Sequence, residues 1–162
     1  MMSTASTQRW LMLAAFLLAA FAAAGLGGYA TAESVTTWYP TLIKPSWNPP
    51  AWIFGPVWTL LYVLMSVAAW RIWLRRDRPD ADRALALFFI QLGLNALWSV
   101  LFFGLQSPGL ALIDVIILWL LLFSIRRRFR SIDPIAGWLW LPYLLWVSFA
   151  TVLNATIVWL NR

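Results

Sequence analysis

The sequence predicts an all-α membrane protein, a single domain over residues 1–162 built as a bundle of five transmembrane helices. Three observations carry this. Hydrophobic residues make up 62% of the 162 and charged residues 11%, with a mean hydropathy of +0.76. A soluble domain of this length could not hide that much apolar surface. Five segments approach or exceed the roughly 20 apolar residues needed to cross the hydrocarbon. The arginines cluster beside alternate ends of those segments, as they do where they orient membrane spans.

The first span covers 10–30. Its start, Arg9 followed by LMLAAFLLAAF, and its end at Ala30-Thr31-Ala32 also resemble a cleavable signal peptide. The apolar run is long for that role, and Ala20, Ala24 and Gly28 give the four-residue spacing of small residues that suits close helix packing. A retained span is therefore expected.

A Pro/Trp-rich loop over 31–50 follows. The stretch from Trp38 to Met65, WYPTLIKPSWNPPAWIFGPVWTLLYVLM, holds five Pro and four Trp in 28 residues. Each proline sets its own φ and pushes the preceding residue out of the α region, so a fixed, mostly extended path is expected. Tryptophans add broad aromatic faces. A rigid aromatic cap over the mouth of the bundle is one reading. The other is an interfacial Trp belt on a loop that only turns the chain round.

Span two covers 51–74 and span three 84–104. A tight turn at Leu105 to Pro108 makes span four, 109–125, an antiparallel neighbour of span three. Span four is expected to be the shortest, and Asp114 interrupts it. Span five covers 135–160.

Charge sets the orientation. Arg9, Arg71, Arg75, Arg76, Arg78, Arg83, Arg126, Arg127, Arg128 and Arg130 fall on one side of a five-span arrangement, and only Lys44 and Arg162 on the other. This predicts a cytoplasmic amino terminus and an outward Pro/Trp loop, in a bacterial inner membrane, with an outer membrane left open. The net charge of +6 is thus read as topology and not as nucleic-acid binding. Anionic lipid headgroups are the alternative partner for the same clusters, whose topological role accounts for them without that.

Cys and His are both absent. That excludes disulfides, thiolate metal sites, Cys nucleophiles and His ligation of haem iron. Asp114 has no second carboxylate in its segment with which to form an acid–base pair.

Of the 13 tryptophans, nine (10, 38, 47, 52, 70, 73, 138, 140 and 159) lie at or near span ends or in the loop and are assigned to the belt. Trp58, Trp98, Trp119 and Trp146 lie inside spans. At about 1.5 Å per residue, Trp58, Asn95, Trp98, Asp114 and Asn154 fall in the outer half, with Trp146 near the midplane. Helical phase puts Trp58, Tyr62 and Met65 on one face. It does the same for Gln91, Asn95, Trp98 and Phe102, and for Trp146, Ala150, Leu153 and Asn154. Polar groups in a span turn towards the bundle interior. The expectation is an aromatic-lined pocket beneath the loop, with Asp114 and Asn154 as further polar candidates. Interhelical hydrogen-bonding glue around no ligand is the competing reading.

The same residues carry a family resemblance. WYPTLIKPSWNPPAWIFGPVWTLLYVLM resembles the signature of the translocator protein (TspO/MBR) family, whose members are also called tryptophan-rich sensory proteins or, in animals, peripheral-type benzodiazepine receptors. QLGLNALWSVLFFG, LALID and LPYLLWVSFATVLN fit in order, so the match covers spans two to five. The resemblance implies a five-helix bundle, often a homodimer, with a pocket for protoporphyrin-type tetrapyrroles or haem and, in some members, for sterol-like ligands. It needs no cofactor. It assigns pocket-lining roles to Tyr39, Pro49, Trp58, Tyr62, Asn95, Trp98, Trp146 and Ala150. It also links Trp58 and Trp146 to porphyrin breakdown. The animal cholesterol motif needs a Tyr after ATxLN, whereas this chain reads ATVLNATIVWLNR, with Ala155 and Thr156 there. A bacterial-type member is therefore expected. The implied function is a tetrapyrrole-binding receptor or sensor, with transport as one use. A Trp-dependent, light-driven porphyrin-degrading enzyme and a purely structural membrane protein are the alternatives.

The orientation is open to direct measurement, because a chain without Cys accepts single-cysteine probes. Ser46→Cys should react with an impermeant thiol reagent in intact spheroplasts, and Arg78→Cys should not. The opposite pattern would mean an inverted bundle.

Overall fold

The computed structural model describes residues 4–162, with side chains from residue 6 onward. Five helical spans are long and apolar enough to cross a membrane, covering Ser6–Thr31, Ala51–Trp73, Ala81–Gly104, Pro108–Ile132 and Pro134–Leu160. There is no strand among the described residues. The elements are α1 (Thr4–Thr31), α2 (Ser34–Thr37), α3 (Ala51–Trp73), α4 (Ala81–Ser99), α5 (Pro108–Ile132), α6 (Pro134–Leu139) and α7 (Leu141–Leu160). Helix α1 packs on α3 and α4, α4 on α5, and α5 on α7, while α6 closes the ring against α3.

Phe16, Ala20 and Ala23 of α1 are buried in the shared core, and a Cβ on Gly27 would come within 3.0 Å of Ser99 Oγ. The packing stripe is therefore 16, 20, 23 and 27, whereas the sequence suggested Ala20, Ala24 and Gly28. At 3.6 residues per turn Gly28 is rotated about 80° from Ala20, and a Cβ there would meet nothing within 4 Å.

The loop is less extended than its prolines predict. It contains α2 and a 3₁₀ turn at Tyr39–Thr41 started by Pro40. The longest stretch without helical structure is 42–50, around Pro45, Pro49 and Pro50. Within α3, Pro56 removes the hydrogen bond that the Trp52 carbonyl would accept.

Helix α4 widens into one π-type turn at Val100–Gly104, where Leu105 N–H reaches the Val100 carbonyl at 2.7 Å. Such bulges occur often at functional sites. Here the turn sets the adjacent Phe102 and Phe103 4.8 Å apart in one aromatic cluster.

Span four is not the shortest. Helix α5 continues through RRRFR to Ile132, because Arg is a good helix former and Phe129 still faces inward, fully buried 4.9 Å from Trp140. Span five breaks at Trp140, where Pro142 removes the bond to the Trp138 carbonyl. Trp140 is accordingly no belt residue. It is fully buried, and its indole N–H donates to the Leu122 carbonyl at 3.1 Å. Gly137 lets α6 approach α5, since a Cβ there would lie 2.6 Å from Arg130 Cβ.

Asp133 locks the basic end. One carboxylate oxygen accepts from the Ile135 and Ala136 amides and caps α6. The other accepts from Arg71 at 2.9 Å and Arg75 at 3.0 Å. Asp133→Ala should lower stability by about 2 kcal/mol, roughly half from the lost cap and half from the partly exposed ion pairs. Asp133→Asn, which keeps a capping oxygen, should lose less. Unfolding in mixed detergent micelles measures the order of the two.

Candidate functional site

The centre of the bundle holds a one-way chain of hydrogen bonds. Tyr62 O–H donates to Asn95 Oδ1 at 2.5 Å, and Asn95 Nδ2 donates to the Tyr143 hydroxyl at 2.9 Å. Tyr143 in turn donates to Gln91 Oε1 at 2.8 Å, and Gln91 Nε2 to Met65 Sδ at 3.7 Å. All five side chains are buried. The chain stitches α3, α4 and α7 together at one level. Tyr62 and Met65 share a face of α3, Gln91 and Asn95 a face of α4.

Half-buried Trp58 lies over this network, 5.5 Å from the Tyr62 ring and 6.1 Å from Tyr143. Trp146, also half-buried, packs between Phe54 at 5.9 Å and Phe149 at 5.5 Å. Trp47 of the loop stands edge-on to Phe149 at 5.8 Å. Loop and helices thus form a continuous aromatic surface.

The four tryptophans inside the spans divide sharply. Trp98 N–H donates to Asn154 Oδ1 at 3.1 Å, and Trp119 N–H to Ser148 Oγ at 2.7 Å. Among the described residues, the indole N–H groups of Trp58 and Trp146 have no partner. Both belong to the main core, whereas Tyr39, Phe102, Phe103, Leu153 and Ile157 form a second cluster under the loop. Trp98 touches both clusters, stacked 5.0 Å from Phe102.

Tyr39 belongs to the cap. Its hydroxyl donates to Asn48 Oδ1 at 2.9 Å, and its ring lies 5.6 Å from Phe103 with the Lys44 ammonium 4.8 Å above it. Burial pushes the Tyr39 phenol above its ordinary range, and the bond with Asn48 pulls it partly back. Asn48 Nδ2 donates to the Pro49 carbonyl, which holds half-buried Pro49 behind it. Lys44 also donates to the carbonyls of Tyr39 and Leu42, both at 2.8 Å. Asn161 pins the loop to the end of α7 through both the N–H and the carbonyl of Ile43.

The candidates drawn from sequence therefore have different surroundings. Asn95 and Asn154 use both ends of their amides between helices, Asn154 Nδ2 donating to the Pro108 carbonyl. Asp114 is 5% exposed, and its Oδ2 has no hydrogen bond. Ala150 is partly exposed one turn beyond Trp146. Two open cavities lie at the basic end, of about 520 and 410 Å³, and none of these candidates lines them. Tyr143 was not singled out from sequence, although its position three residues before Trp146 places it on the same broad face of α7. Lys44 was counted only for its charge.

Tyr143 is the node whose removal tests the network. Tyr143→Phe deprives Gln91 of its donor and Asn95 of its acceptor, and should cost about 1–3 kcal/mol. Tyr62→Phe orphans only Asn95 Oδ1 and should cost less. Unfolding of the two variants in mixed micelles measures the difference.

The TspO/MBR family model matches residues 14–160. The chain is 42% identical to the tryptophan-rich protein TspO of Chlorobaculum tepidum, over 86% of this chain and 89% of that one. It is 39% identical to the tryptophan-rich sensory protein of Cereibacter sphaeroides, over 94% and 92%. With the translocator protein of Bos taurus it shares 35% identity, over 90% and 87%. A model match over nearly the whole chain, on five spans joined by a tryptophan-bearing cap, means that the chain belongs to the TspO/MBR family.

Proposed function

We propose that this integral membrane protein is a receptor that senses or translocates flat, hydrophobic ligands, with protoporphyrin-type tetrapyrroles as the principal class and sterol-like molecules as a weaker one. The observation that carries the reading is the pair Trp58 and Trp146, the inner tryptophans whose N–H groups have no partner among the described residues. Each offers an aromatic face for a macrocycle and a free donor for its polar edge. Asp114 supplies a further unsatisfied group. The names of the relatives, sensory protein and translocator protein, agree with sensing or transport. The protein works as a homodimer in the bacterial inner membrane, its arginine-rich end in the cytoplasm and its loop outside.

The enzymatic alternative rests on the same pair. Trp58 touches both Tyr62 and Tyr143, so an indole oxidised by an illuminated porphyrin would have phenols within reach. Without His to ligate iron, metal-free protoporphyrin binds at least as well as haem.

Tryptophan-fluorescence titration with protoporphyrin, haem and cholesterol, followed by illumination, tests both readings. Ala150→Leu adds bulk beside Trp146. Overpacking of about 1–3 kcal/mol should weaken porphyrin binding about five- to hundredfold. Trp58→Phe keeps a ring and should weaken binding less, while slowing any light-driven breakdown more. Wild-type affinity in a folded Ala150→Leu variant would remove α7 from the site.

A further inference from the structure

We infer that the basic end carries a phosphate site: the 520 Å³ cavity between the start of α1, the end of α3 and Asp133 takes a phosphate group bearing two negative charges, from an anionic lipid headgroup or from a soluble phosphate compound. This site is independent of the porphyrin reading and lies at the opposite end of the bundle.

Four arginines line the cavity, Arg9, Arg71, Arg75 and Arg76, against the single carboxylate of Asp133. That carboxylate is already fully engaged. Oδ1 caps α6, and Oδ2 accepts from Arg71 Nη2 at 2.9 Å and Arg75 Nε at 3.0 Å. An excess of three positive charges therefore faces one void. Of the two acids in the α3–α4 connection, Asp80 is paired with Arg128 at 2.8 Å, and Asp77 does not line the cavity.

Three of the four guanidiniums are held in place before any anion arrives, and Arg9 is positioned through its backbone. Asp133 fixes Arg71 and Arg75. Arg76 lies on the Trp73 ring, 4.4 Å from its centroid. The Arg9 carbonyl accepts from Trp70 Nε1 at 2.9 Å, and Trp10 stacks on Trp70 at 5.7 Å. Arg71 Nε is buried with no hydrogen-bond partner, and an orphaned donor of that kind costs free energy until an acceptor reaches it.

Membrane topology alone does not demand this arrangement. It counts basic residues near span ends and requires neither convergence from two spans nor a cavity between them. The guanidinium fork matches phosphate oxygens two at a time. Interfacial tryptophans at the rim set the cavity at the level where lipid phosphates lie.

Native mass spectrometry of the purified protein tests the assignment, with phosphatidic acid and phosphatidylcholine of matched chains as probes and inorganic diphosphate as competitor. Phosphatidic acid should be retained at least about tenfold better than phosphatidylcholine. Arg9→Gln/Arg76→Gln removes two cavity charges without touching the Asp133 ion pairs and should abolish that preference. Arg78→Gln/Arg83→Gln removes two charges outside the lining and should keep it. Displacement by diphosphate at low concentration would identify a soluble phosphate compound as the source, and resistance to it a lipid headgroup. Equal losses in the two double variants would mean diffuse surface charge and overturn the site, as would a wild type that does not distinguish the lipids.

Discussion

A polar side chain inside a membrane bundle has no water to fall back on, and much of this structure follows from how one amide meets that constraint. Asn95 must place both an acceptor and a donor. It takes the Tyr62 proton from α3 and gives its own to Tyr143 on α7. Each tyrosine hydroxyl can donate only once, so the direction propagates through Gln91 and ends at Met65, a weak acceptor. Sliding any of the three helices by one residue would orphan several buried groups together. The network fixes their register, and Trp58 packs over it on the Tyr62 and Tyr143 rings.

The two ends of the bundle are secured by different physics. At the loop end the ties are neutral or use carbonyls: Asn161 on Ile43, Ser34 on the Phe103 carbonyl, and Lys44 on the carbonyls beneath its own turn. At the other end they are charge pairs converging on Asp133. The positive charge of Lys44 meets a tyrosine face and backbone carbonyls, with no carboxylate within salt-bridge distance among the described residues. It stiffens the cap around Tyr39 without adding an acid to the mouth of the bundle.

Hydropathy made the five spans legible, and helical phase made Tyr62, Asn95 and Gln91 legible as inward groups, because both depend on averages over whole turns. What failed depended on single residues. The small-residue stripe on α1 was misplaced by one position, since a four-residue spacing drifts round the helix faster than the packing seam does. Trp140 looked like a belt residue by its distance from the span end. Pro142 breaks the helix there and turns it into the core, which span counting cannot see. The arginines after Ile125 read as a loop because hydropathy ends there, whereas helix propensity and Phe129 carry α5 further. The distinction between bonded Trp98 and Trp119 and unbonded Trp58 and Trp146 depends on which acceptor lies opposite each indole. A single sequence does not contain that.

The rings of the aromatic surface pack on one another, and this bears on the proposed ligands. A macrocycle reaching Trp58 and Trp146 must replace contacts such as Phe54 on Trp146 and Trp47 on Phe149. Each such pair is worth about 0.5–1.5 kcal/mol beyond burial. A flat conjugated ligand returns comparable stacking to the same rings, so the exchange costs little. Such an exchange would not require the Asn95 network to open, since Trp58 packs over it and makes none of its bonds. Polar ligands lack that compensation and face an intact apolar lid. If the proposed ligand displaces Phe149, the contact of that ring with Trp47 ties the loop to the displacement.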